Sequence, residues 1–406
     1  MKVVIETLGC KLNQAETESL AWQFSADGYE VIADELQADI YILNTCTVTA
    51  TADAKARQRL RSIHQHNPRA FIVAAGCYVE REPHSLVTMP DVDLVIGNRD
   101  KANLVSLVNS GIGRCSPSML GIAGSSIPGA LRTRSLIKVQ DGCNGNCSYC
   151  IVPTVRTGNT SIPIEVVVTQ IRERLQRGVK EIVITGTEVG SYRDGDLTVK
   201  DLLATVLAQT DVPRLRLSSL QPQEISPGLV SLWHDDRLCP HFHLSIQSGS
   251  DDILRLMRRR YTVNQYAETV SLIRRTLPDV AITTDVIVGF PGETDAMFEE
   301  GLRTCRDLRF ARVHVFPFSP RPGTEAAAMR KAVPAPVKKA RAGQMLSLAE
   351  ESAAAFRATF AGTTRPVLWE HRNSRGRWTG FTDNYIPLET DSPEDLENRI
   401  LPAMVR

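Results

Sequence analysis

The sequence predicts an α/β chain in three parts: an N-terminal open parallel α/β sheet domain, a partial (β/α)6 barrel and a small C-terminal all-β barrel. Apolar strands alternate with amphipathic helices at the start of the chain, and strand–turn–helix units follow from about residue 130. Short strands separated by turns begin after Gly362. We therefore place domains at 1–112, 130–361 and 362–406, with a linker at 113–129.

The N-terminal domain is predicted from strands that are apolar throughout their length. They read KVVIETLG, ADIYILNT, AFIVAAG and VDLVIG, and helical segments such as AETESLAWQFSADGY and ATADAKARQRLRSIHQHNP separate them. Strands without polar alternation are typical of a parallel sheet that helices cover on both faces. The segment at 113–129 is rich in Gly, Ser and Pro and shows no periodicity, which indicates a linker.

The central domain repeats a strand that ends in a polar or glycine-containing turn. The strand-like segments are SLIKVQ, EIVITG, RLRLSS, HFHLSIQ, AITTDVIVGF and RVHVFPF. Repeats of this kind are typical of a (β/α) barrel, and a set short of eight strands predicts a barrel that is open at one side. A basic, Pro-broken stretch and a helical run, SLAEESAAAFRATFAG, then lead to the short strands of the C-terminal barrel.

Composition excludes some classes of protein. The chain has 406 residues, of which 42% are hydrophobic and 23% charged, as expected for a globular protein with several packed domains. No apolar signal region opens the sequence, and no apolar run approaches the ~18 residues of a membrane span. We therefore expect a cytoplasmic protein with no membrane partner. The net charge of +1 does not by itself indicate a nucleic-acid partner.

Clustered cysteines give the strongest chemical signal. Cys143, Cys147 and Cys150 follow the first predicted barrel strand with the spacing C-x3-C-x2-C. A loop this tight can bring three thiolates to three corners of a cubane iron–sulfur cluster, which normally has four Cys ligands. The fourth iron is then open to the amino and carboxylate groups of S-adenosylmethionine (SAM). A zinc site is the alternative, but tetrahedral zinc needs four ligands and no second cysteine pair follows.

A second set of cysteines is dispersed along the N-terminal domain. Cys10, Cys46 and Cys77 each stand at the carboxyl end of a predicted strand. In an open parallel sheet these ends share one edge, where ligands bind. The three thiols can therefore hold a second cluster, although buried cysteines often serve only as small apolar side chains. The other three cysteines show no such pattern and are interpreted as structural thiols: Cys115, Cys239 and Cys305.

The motifs together resemble those of the tRNA methylthiotransferases of the radical SAM superfamily. The resemblance runs nearly end to end and is carried by TLGCKLNQAE, NTCTVT, AAGCY, GCNGNCSYCIVP, TGTEVGSY, RLSSLQPQEI, HLSIQSGSDDIL, TTDVIVGFPGET and GFTDNYIPL. It implies an N-terminal methylthiotransferase domain, a radical SAM core and a C-terminal TRAM domain. The chain departs from the family after Arg156 and Gly158, where the usual Ser-Arg pair is absent.

The resemblance also implies cofactors and a reaction. It assigns a SAM-cleaving [4Fe-4S] cluster to the Cys143 set and an auxiliary [4Fe-4S] cluster to the Cys10 set. SAM would serve as both radical source and methyl donor, and the product would carry a methylthio group on carbon 2 of the adenosine beside the anticodon. TLGCKLN and RLSSLQPQEI most resemble the branch acting on N6-threonylcarbamoyladenosine at position 37 of tRNA. An electron-donor protein such as flavodoxin or ferredoxin and a sulfur donor are the other expected partners.

Further residues are predicted to position SAM. Glu188 ends the TGTE motif after the second barrel strand, where the superfamily contacts the amino group of SAM. Ser245, Gln247, Asp285 and Gly289 lie on strands whose carboxyl ends should face the cofactor. Each of these residues can instead be an ordinary turn or barrel-interior residue. The sequence assigns a catalytic role to no residue other than the cysteines.

Two basic segments are candidates for RNA contact. Arg258, Arg259 and Arg260 are expected beside the barrel mouth, and Arg372 and Arg377 belong to the C-terminal domain. Basic and aromatic side chains on a small β-barrel suit stacking against unpaired bases. Such charge runs are also common on solvated faces. The aromatic residues interleaved with these arginines are Trp369, Trp378, Phe381 and Tyr385. Several of them are expected to form the core of so small a domain.

Two alternatives to this function stay open. The first is the same chemistry on N6-isopentenyladenosine in tRNA or on a ribosomal protein. The second, of another class, is a non-catalytic RNA-binding protein with a structural zinc ion. Detection of iron–sulfur clusters in the protein would favour an enzyme over this second alternative.

Overall fold

The computed structural model describes residues 1–113 and 133–406. The predicted linker at 113–129 lies outside the described residues except for Gly113, and so does Cys115. The remaining chain forms a parallel sheet, a partial barrel and an antiparallel sheet in that order, which confirms the predicted fold class.

The N-terminal domain is a five-stranded parallel sheet with the order β2-β1-β3-β4-β5. Its apolar strands are buried on both faces because helices cover both sides, as the sequence predicts. The strands are β1 (Lys2–Thr7), β2 (Glu30–Val31), β3 (Ile40–Thr45), β4 (Phe71–Gly76) and β5 (Leu94–Ile96). The helices are α1 (Lys11–Ala26), α2 (Ala50–His66), α3 (Cys77–Arg81), α4 (Pro83–Val87) and α5 (Leu104–Gly111).

Helix α1 begins at Lys11, four residues before the helix that the sequence predicts. The first turns of α1 bury the polar residues Asn13 and Glu16 beside Leu12 and Ala15. Polar residues on the buried face interrupt the hydrophobic periodicity that is the main sequence signal for a helix.

The central domain is a parallel arrangement that is open at one side, as predicted. Its sheets run in the orders β11-β8-β6-β7 and β12-β13-β14-β15. The short β7 is antiparallel to β6, and β12 follows β11 almost directly, so six main parallel strands remain, with β6 and β15 beside the opening. The strands are β6 (Arg134–Asp141), β7 (Thr160–Ser161), β8 (Glu181–Gly186), β9 (Arg193–Asp194), β10 (Leu197–Thr198), β11 (Arg214–Leu217), β12 (Ser219–Leu220), β13 (His241–Leu244), β14 (Ala281–Val288) and β15 (Arg312–Pro317).

Helices pack on the outer face of these strands around one large apolar core. They are α6 (Val152–Val155), α7 (Ile164–Gln176), α8 (Val199–Gln209), α9 (Pro227–Val230), α10 (Asp251–Leu256), α11 (Val263–Thr276), α12 (Asp295–Leu308), α13 (Glu325–Ala328) and α14 (Ala335–Ala358). The second part of the basic stretch that the sequence places before the last helix, residues 335–344, belongs to α14, since Pro is tolerated in the first helical turn. Its Arg341 is buried and ion-paired with Glu293 and Asp295, both at 2.7 Å.

The C-terminal domain is a four-stranded antiparallel sheet with the order β18-β17-β16-β19. Its strands are β16 (Thr364–Arg372), β17 (Trp378–Thr382), β18 (Pro387–Thr390) and β19 (Ile400–Met404). Trp369 and Trp378 are buried in the small core of this domain, so they are not free to stack against RNA bases.

The loop after β17 closes the amino-terminal end of the barrel. The ring of Tyr385 stacks on His241 with centroids 4.7 Å apart, and the hydroxyl of Tyr385 accepts a hydrogen bond from Arg134 at 2.7 Å. Arg214 and Arg216 donate to backbone carbonyls of Thr382 at 2.8 and 3.0 Å. Tyr385 is therefore engaged within the chain, and stacking of bases on this domain stays a prediction.

Candidate cluster and cofactor site

The loop that carries the first cysteine triad starts at a strained backbone turn. Gly142 follows β6 with φ +79°, and a Cβ at this position would lie 2.2 Å from the carbonyl oxygen of Gly158. Only glycine adopts this conformation at little cost, and only glycine fits the space. The loop then folds back on itself, where the backbone N–H of Cys150 donates to the carbonyl of Cys147 at 3.1 Å.

Glu188 lies directly beside this triad, as the TGTE motif suggests. The thiol of Cys143 donates to Oε2 of Glu188 at 3.1 Å, and Gln221 donates to Oε1 at 2.5 Å. The Glu188 side chain is 9% exposed, and the exposed Arg260 approaches it at 3.5 Å. A carboxylate in this position can accept hydrogen bonds from an ammonium group placed next to the cluster.

Arg259 belongs to the cysteine site rather than to an exposed basic face. Its guanidinium donates to Sγ of Cys147 at 3.3 Å, to Gln221 at 3.0 Å and to the hydroxyl of Tyr261 at 3.0 Å. Sequence reasoning grouped Arg259 with its neighbours because a run of charges does not reveal which member turns inward. RNA contact by Arg259 is therefore not supported by its position.

The second triad gathers at the carboxyl edge of the N-terminal sheet. Cys10, Cys46 and Cys77 follow β1, β3 and β4, which are neighbours in that sheet. Gly9 and Gly76 precede two of them with φ values of +111° and +103°. A Cβ on Gly9 would lie 2.7 Å from Sγ of Cys46, so the chain approaches itself closely at this point. The shared edge thus brings together cysteines that are dispersed in the sequence.

Burial disfavours the thiolate form of some cysteines in each triad. Burial raises the pKa of Cys46 to about 12, and the nearby Cys10 and Cys77 raise it further. The pKa of Cys143 is raised to about 12 by burial and by Glu188, and that of Cys150 to about 11 chiefly by burial. Thiolates bind metals, so metal binding at either triad must release protons.

The donor sets fit iron–sulfur clusters better than a single zinc ion. Zinc with four ligands at about 2.3 Å would hold its sulfurs about 3.8 Å apart. Within the described residues, the group whose ligand atoms lie within 4.8 Å of one another is His243, Asp285 and His314, and it contains no cysteine. In neither triad do all three Sγ atoms lie within 4.8 Å of one another, and three thiols per triad match a cubane with one open iron.

Arg156 connects the two triads through buried hydrogen bonds. Its guanidinium donates to Oδ1 of Asn13 at 2.9 Å and to Oδ1 of Asp141 at 2.9 Å. Asn13 lies one helical turn after Cys10, and Asp141 precedes Gly142 and the first triad. Arg156 also pairs with the buried Glu16. Sequence reasoning noted Arg156 only as part of a family motif and missed this connection.

Ser245 and Asp285 meet inside the barrel with His243. Oδ2 of Asp285 accepts hydrogen bonds from Ser245 at 3.0 Å and from His243 at 3.1 Å. Although burial would raise the pKa of Asp285, His243 and Ser245 lower it below the usual value, so the carboxylate is charged. His243 and His314 were not predicted as site residues. The sequence signal for them was the alternation of side chains along the strands HFHLS and RVHVF, which directs both histidines to the barrel interior.

Gln247 and Gly289 take up left-handed backbone conformations at the carboxyl ends of the barrel strands. Gln247 has φ +65° and pairs through its backbone with Asp285. Gly289 has φ +73°, and a Cβ there would lie 2.2 Å from the side chain of Lys338. The side chain of Lys338 therefore covers Gly289, whereas Gln247 stands beside the polar group around Asp285. The role of both in SAM binding stays a prediction.

The remaining arginines predicted to contact RNA are partly engaged by neighbouring residues. Arg258 pairs with Glu325 at 2.5 Å and is half-exposed. Arg372 donates to the carbonyls of Gly376 and Ser392 and lies over the ring of Trp378. Arg377 approaches Glu389 at 3.3 Å and Asp391 at 3.4 Å. RNA contact by Arg258, Arg260, Arg372 and Arg377 stays a prediction.

Comparison with known proteins covers most of the chain. Residues 2–97 match the model of "Uncharacterized protein family UPF0004", and residues 137–305 match that of the "Radical SAM superfamily". The chain is 38% identical to the threonylcarbamoyladenosine tRNA methylthiotransferase MtaB of Thermotoga maritima, over 96% of this chain and 91% of that protein. It is 35% identical to the tRNA-2-methylthio-N(6)-dimethylallyladenosine synthase of Endomicrobium trichonymphae, over 91% of this chain and 89% of that protein.

A solved structure supports the fold alone. The radical S-adenosylmethionine methyltransferase TsrM of Kitasatospora setae matches with a TM-score of 0.59 at 15% identity, over 80% of this chain and 77% of that chain. Within residues 1–113 and 133–406, no helix has the length and apolar character of a membrane span. Membership of the radical SAM superfamily makes SAM and an iron–sulfur cluster cofactors of this chain. The matches at both domains and along nearly the whole length show that the chain belongs to the methylthiotransferase family of radical SAM enzymes.

Proposed function

We propose that this enzyme places a methylthio group on carbon 2 of N6-threonylcarbamoyladenosine at position 37 of tRNA. The similarity to a relative named for this modified base, over nearly the full length of both chains, supports the substrate. The observation that carries the chemistry is the contact of Arg156 with both Asn13 and Asp141, which keeps the two cysteine triads next to each other. Radical generation and sulfur insertion can then act on one bound base.

The first triad would hold the cluster that binds SAM. When bound there, the cluster supplies the electron that cleaves SAM and produces the 5′-deoxyadenosyl radical. Glu188 is suited to accept hydrogen bonds from the ammonium group of SAM, because it is ionisable, mostly buried and adjacent to Cys143. Arg259 is suited to neutralise the negative charge of the thiolates, because it already donates to Cys147.

The second triad would hold the auxiliary cluster that takes part in sulfur insertion. Cys10, Cys46 and Cys77 share the edge of the N-terminal sheet that faces the barrel, and Asn98 supports this placement. The amide of Asn98 donates to Sγ of Cys77 at 3.5 Å and to the carbonyl of Val155 at 2.7 Å. The other partners that this reaction needs are an electron-donor protein and a sulfur donor, and we propose that the enzyme works in the cytoplasm.

The alternatives make different predictions. Activity on N6-isopentenyladenosine would place an apolar substituent in the barrel, whereas the interior around Asp285, His243 and His314 is polar. A zinc-containing RNA-binding protein would be colourless after purification without air. We expect a brown protein with broad visible absorption after anaerobic reconstitution with iron and sulfide.

The deciding experiment is mass spectrometry of nucleosides from defined RNA. The reconstituted enzyme would be incubated with SAM, a reductant, sulfide and an anticodon stem–loop that carries either modified adenosine. We expect the methylthio product from the threonylcarbamoyl substrate, together with 5′-deoxyadenosine. Product from the isopentenyl substrate alone would overturn the proposed substrate, and 5′-deoxyadenosine without any methylthio product would contradict the proposed reaction.

A further inference from the structure

The lateral opening of the barrel is partly covered by the first helix of the N-terminal domain. Ala15 of α1 packs against Leu136 of β6 and Val183 of β8, and all three side chains are buried. The first turn of α1 therefore stands at the opening. A cavity of about 500 Å³ lies beside it. Its lining includes the basic residues Lys11 and Arg134, the carboxylates of Glu370 and Glu397, and Tyr385.

Most cations of the barrel interior already have a carboxylate partner. Arg134 pairs with Glu370 at 2.6 Å, and Arg214 and Arg216 pair with Glu181 at 2.9 and 2.8 Å. Lys11 differs, because it is exposed and its ammonium forms no hydrogen bond or ion pair with any of the residues that the structure describes. The carboxylates of Glu370 and Glu397 also line the cavity but do not pair with Lys11, so its ammonium is available to an anionic ligand.

The positive charge of Lys11 acts on two histidines on the opposite side of the barrel. Burial is the main cause that lowers the pKa of His241 on β13 and of His314 on β15, and Lys11 is among the groups that lower it further. His314 is half-buried, and its ring likewise has no hydrogen bond within the described residues. Lys11 lines the cavity on the β6 side of the opening, and His314 belongs to the polar group with His243 and Asp285 on the β15 side.

We propose that Lys11 is a specificity-determining residue that binds the carboxylate on the N6 substituent of the target adenosine, with His314 as a second hydrogen-bonding group. This inference rests on the proposed function. Lys11 directly follows Cys10, so its side chain stands beside the triad that must meet carbon 2 of the base. Carbon 2 and the N6 group flank N1 on one edge of adenine, which brings the substituent close to Lys11.

The chemistry of the two candidate substituents differs at this position. A threonylcarbamoyl group carries a carboxylate, which an ammonium group recognises through a charge-assisted hydrogen bond. An isopentenyl group would displace water from Lys11 without replacing its hydrogen bonds, which costs binding free energy. Lys11 therefore favours the acidic substituent both by attraction and by rejection of the apolar one.

The test measures kcat/KM on two matched RNA substrates. One anticodon stem–loop carries N6-threonylcarbamoyladenosine, and the other carries its methyl ester, which lacks the negative charge. We expect the reconstituted wild-type enzyme to prefer the acid by about tenfold or more. Lys11→Met should lose this preference through a higher KM for the acid, Lys11→Arg should retain part of it, and His314→Phe should weaken it.

Controls separate recognition from damage to the clusters. Iron content should be unchanged in Lys11→Met, which shows that the clusters are intact. Lys55→Met removes an exposed lysine on α2 as the matched variant and should keep the wild-type activity and preference. If Lys11→Met prefers the acid as strongly as the wild type does, the inference is wrong and the proposed function stands. If the wild-type enzyme modifies only isopentenyladenosine, the proposed function fails and the inference fails with it.

Discussion

Arg156 and Glu16 form a doubly hydrogen-bonded ion pair across the boundary between the N-terminal domain and the barrel. The two guanidinium nitrogens donate to Oε1 and Oε2 of Glu16 at 2.8 and 3.0 Å, and both side chains are almost fully buried. Burial alone would raise the pKa of Glu16, but Lys101 and Arg156 hold it well below the usual range. The carboxylate is therefore charged, and its pairing fixes the relative position of the two triads.

Removal of Arg156 should loosen this boundary. Arg156→Met leaves Glu16 buried with fewer partners, and a broken buried pair typically costs about 3–5 kcal/mol. We expect a lower thermal midpoint, faster amide hydrogen exchange around residues 10–16, and loss of methylthio product with SAM cleavage retained. Arg61→Met, at an exposed position on α2, is the matched control and should change none of these. Normal product formation by Arg156→Met would show that this pair does not position the triads.

The two cysteine triads should have separable roles, and each triple variant serves as the control for the other. Replacement of Cys143, Cys147 and Cys150 by Ala should remove about half of the bound iron and abolish 5′-deoxyadenosine formation, because one of two similar clusters is lost. Replacement of the second triad by Ala should also remove about half of the iron.

The second-triad variant, at Cys10, Cys46 and Cys77, should still cleave SAM but form no methylthio product. Iron analysis, 5′-deoxyadenosine yield and nucleoside mass spectrometry measure the three outcomes. Reductive SAM cleavage by the first variant, or full product yield from the second, would refute the corresponding assignment.

Gly142 should be intolerant of even the smallest side chain. In Gly142→Ala the new Cβ would lie 2.2 Å from the carbonyl oxygen of Gly158, so the cysteine loop must shift. Gly158→Ala is the matched control, since Gly158 has a similar φ of +83° but open space around its Cβ position. We expect loss of cluster binding and SAM cleavage in the first variant. The control should show only the cost of the backbone conformation, about 1 kcal/mol in thermal unfolding. If Gly142→Ala and Gly158→Ala have equal effects on cluster binding and SAM cleavage, the close approach of Gly142 to the carbonyl of Gly158 does not determine the shape of the loop.

Charge reversal in the C-terminal domain should weaken RNA binding. A truncation after Gly362 is unsuitable, because it would remove Tyr385 from His241 and Arg134 and open the end of the barrel. In the double variant Arg372→Glu and Arg377→Glu, we expect lower tRNA affinity. The slope of log affinity against log salt concentration should become shallower by the equivalent of about one to two phosphate contacts. Binding would be measured against salt concentration.

The control for this experiment reverses two exposed arginines on α12, Arg303 and Arg306, and should leave both quantities unchanged. Equal loss in the two double variants would indicate a general effect of charge. If the Arg372 and Arg377 variant binds tRNA with unchanged affinity, the RNA must bind another face of the protein, such as that of Arg258 and Arg260.

The fold class followed from the sequence because local patterns are sufficient to specify it. The apolar strands of the N-terminal domain and the repeated strand–turn units of the barrel are periodic signals, and both were confirmed. The start of α1 was missed because Asn13 and Glu16 are buried polar residues, whose partners come from distant parts of the chain. The position of each dispersed cysteine after a strand also predicted correctly that all three lie at one edge of the sheet.

By itself, the sequence determined the three-part architecture, the two cysteine triads and the family resemblance, since each depends on residue type and spacing along the chain. Only the tertiary structure showed that Arg156 pairs with Glu16, that Arg259 turns toward Cys147 and that Tyr385 closes the barrel. The physical reason is that a side chain's partners depend on folding in three dimensions. Neighbouring arginines with the same charge can therefore take an exposed, an ion-paired or a buried position, and their order in the sequence does not distinguish these outcomes.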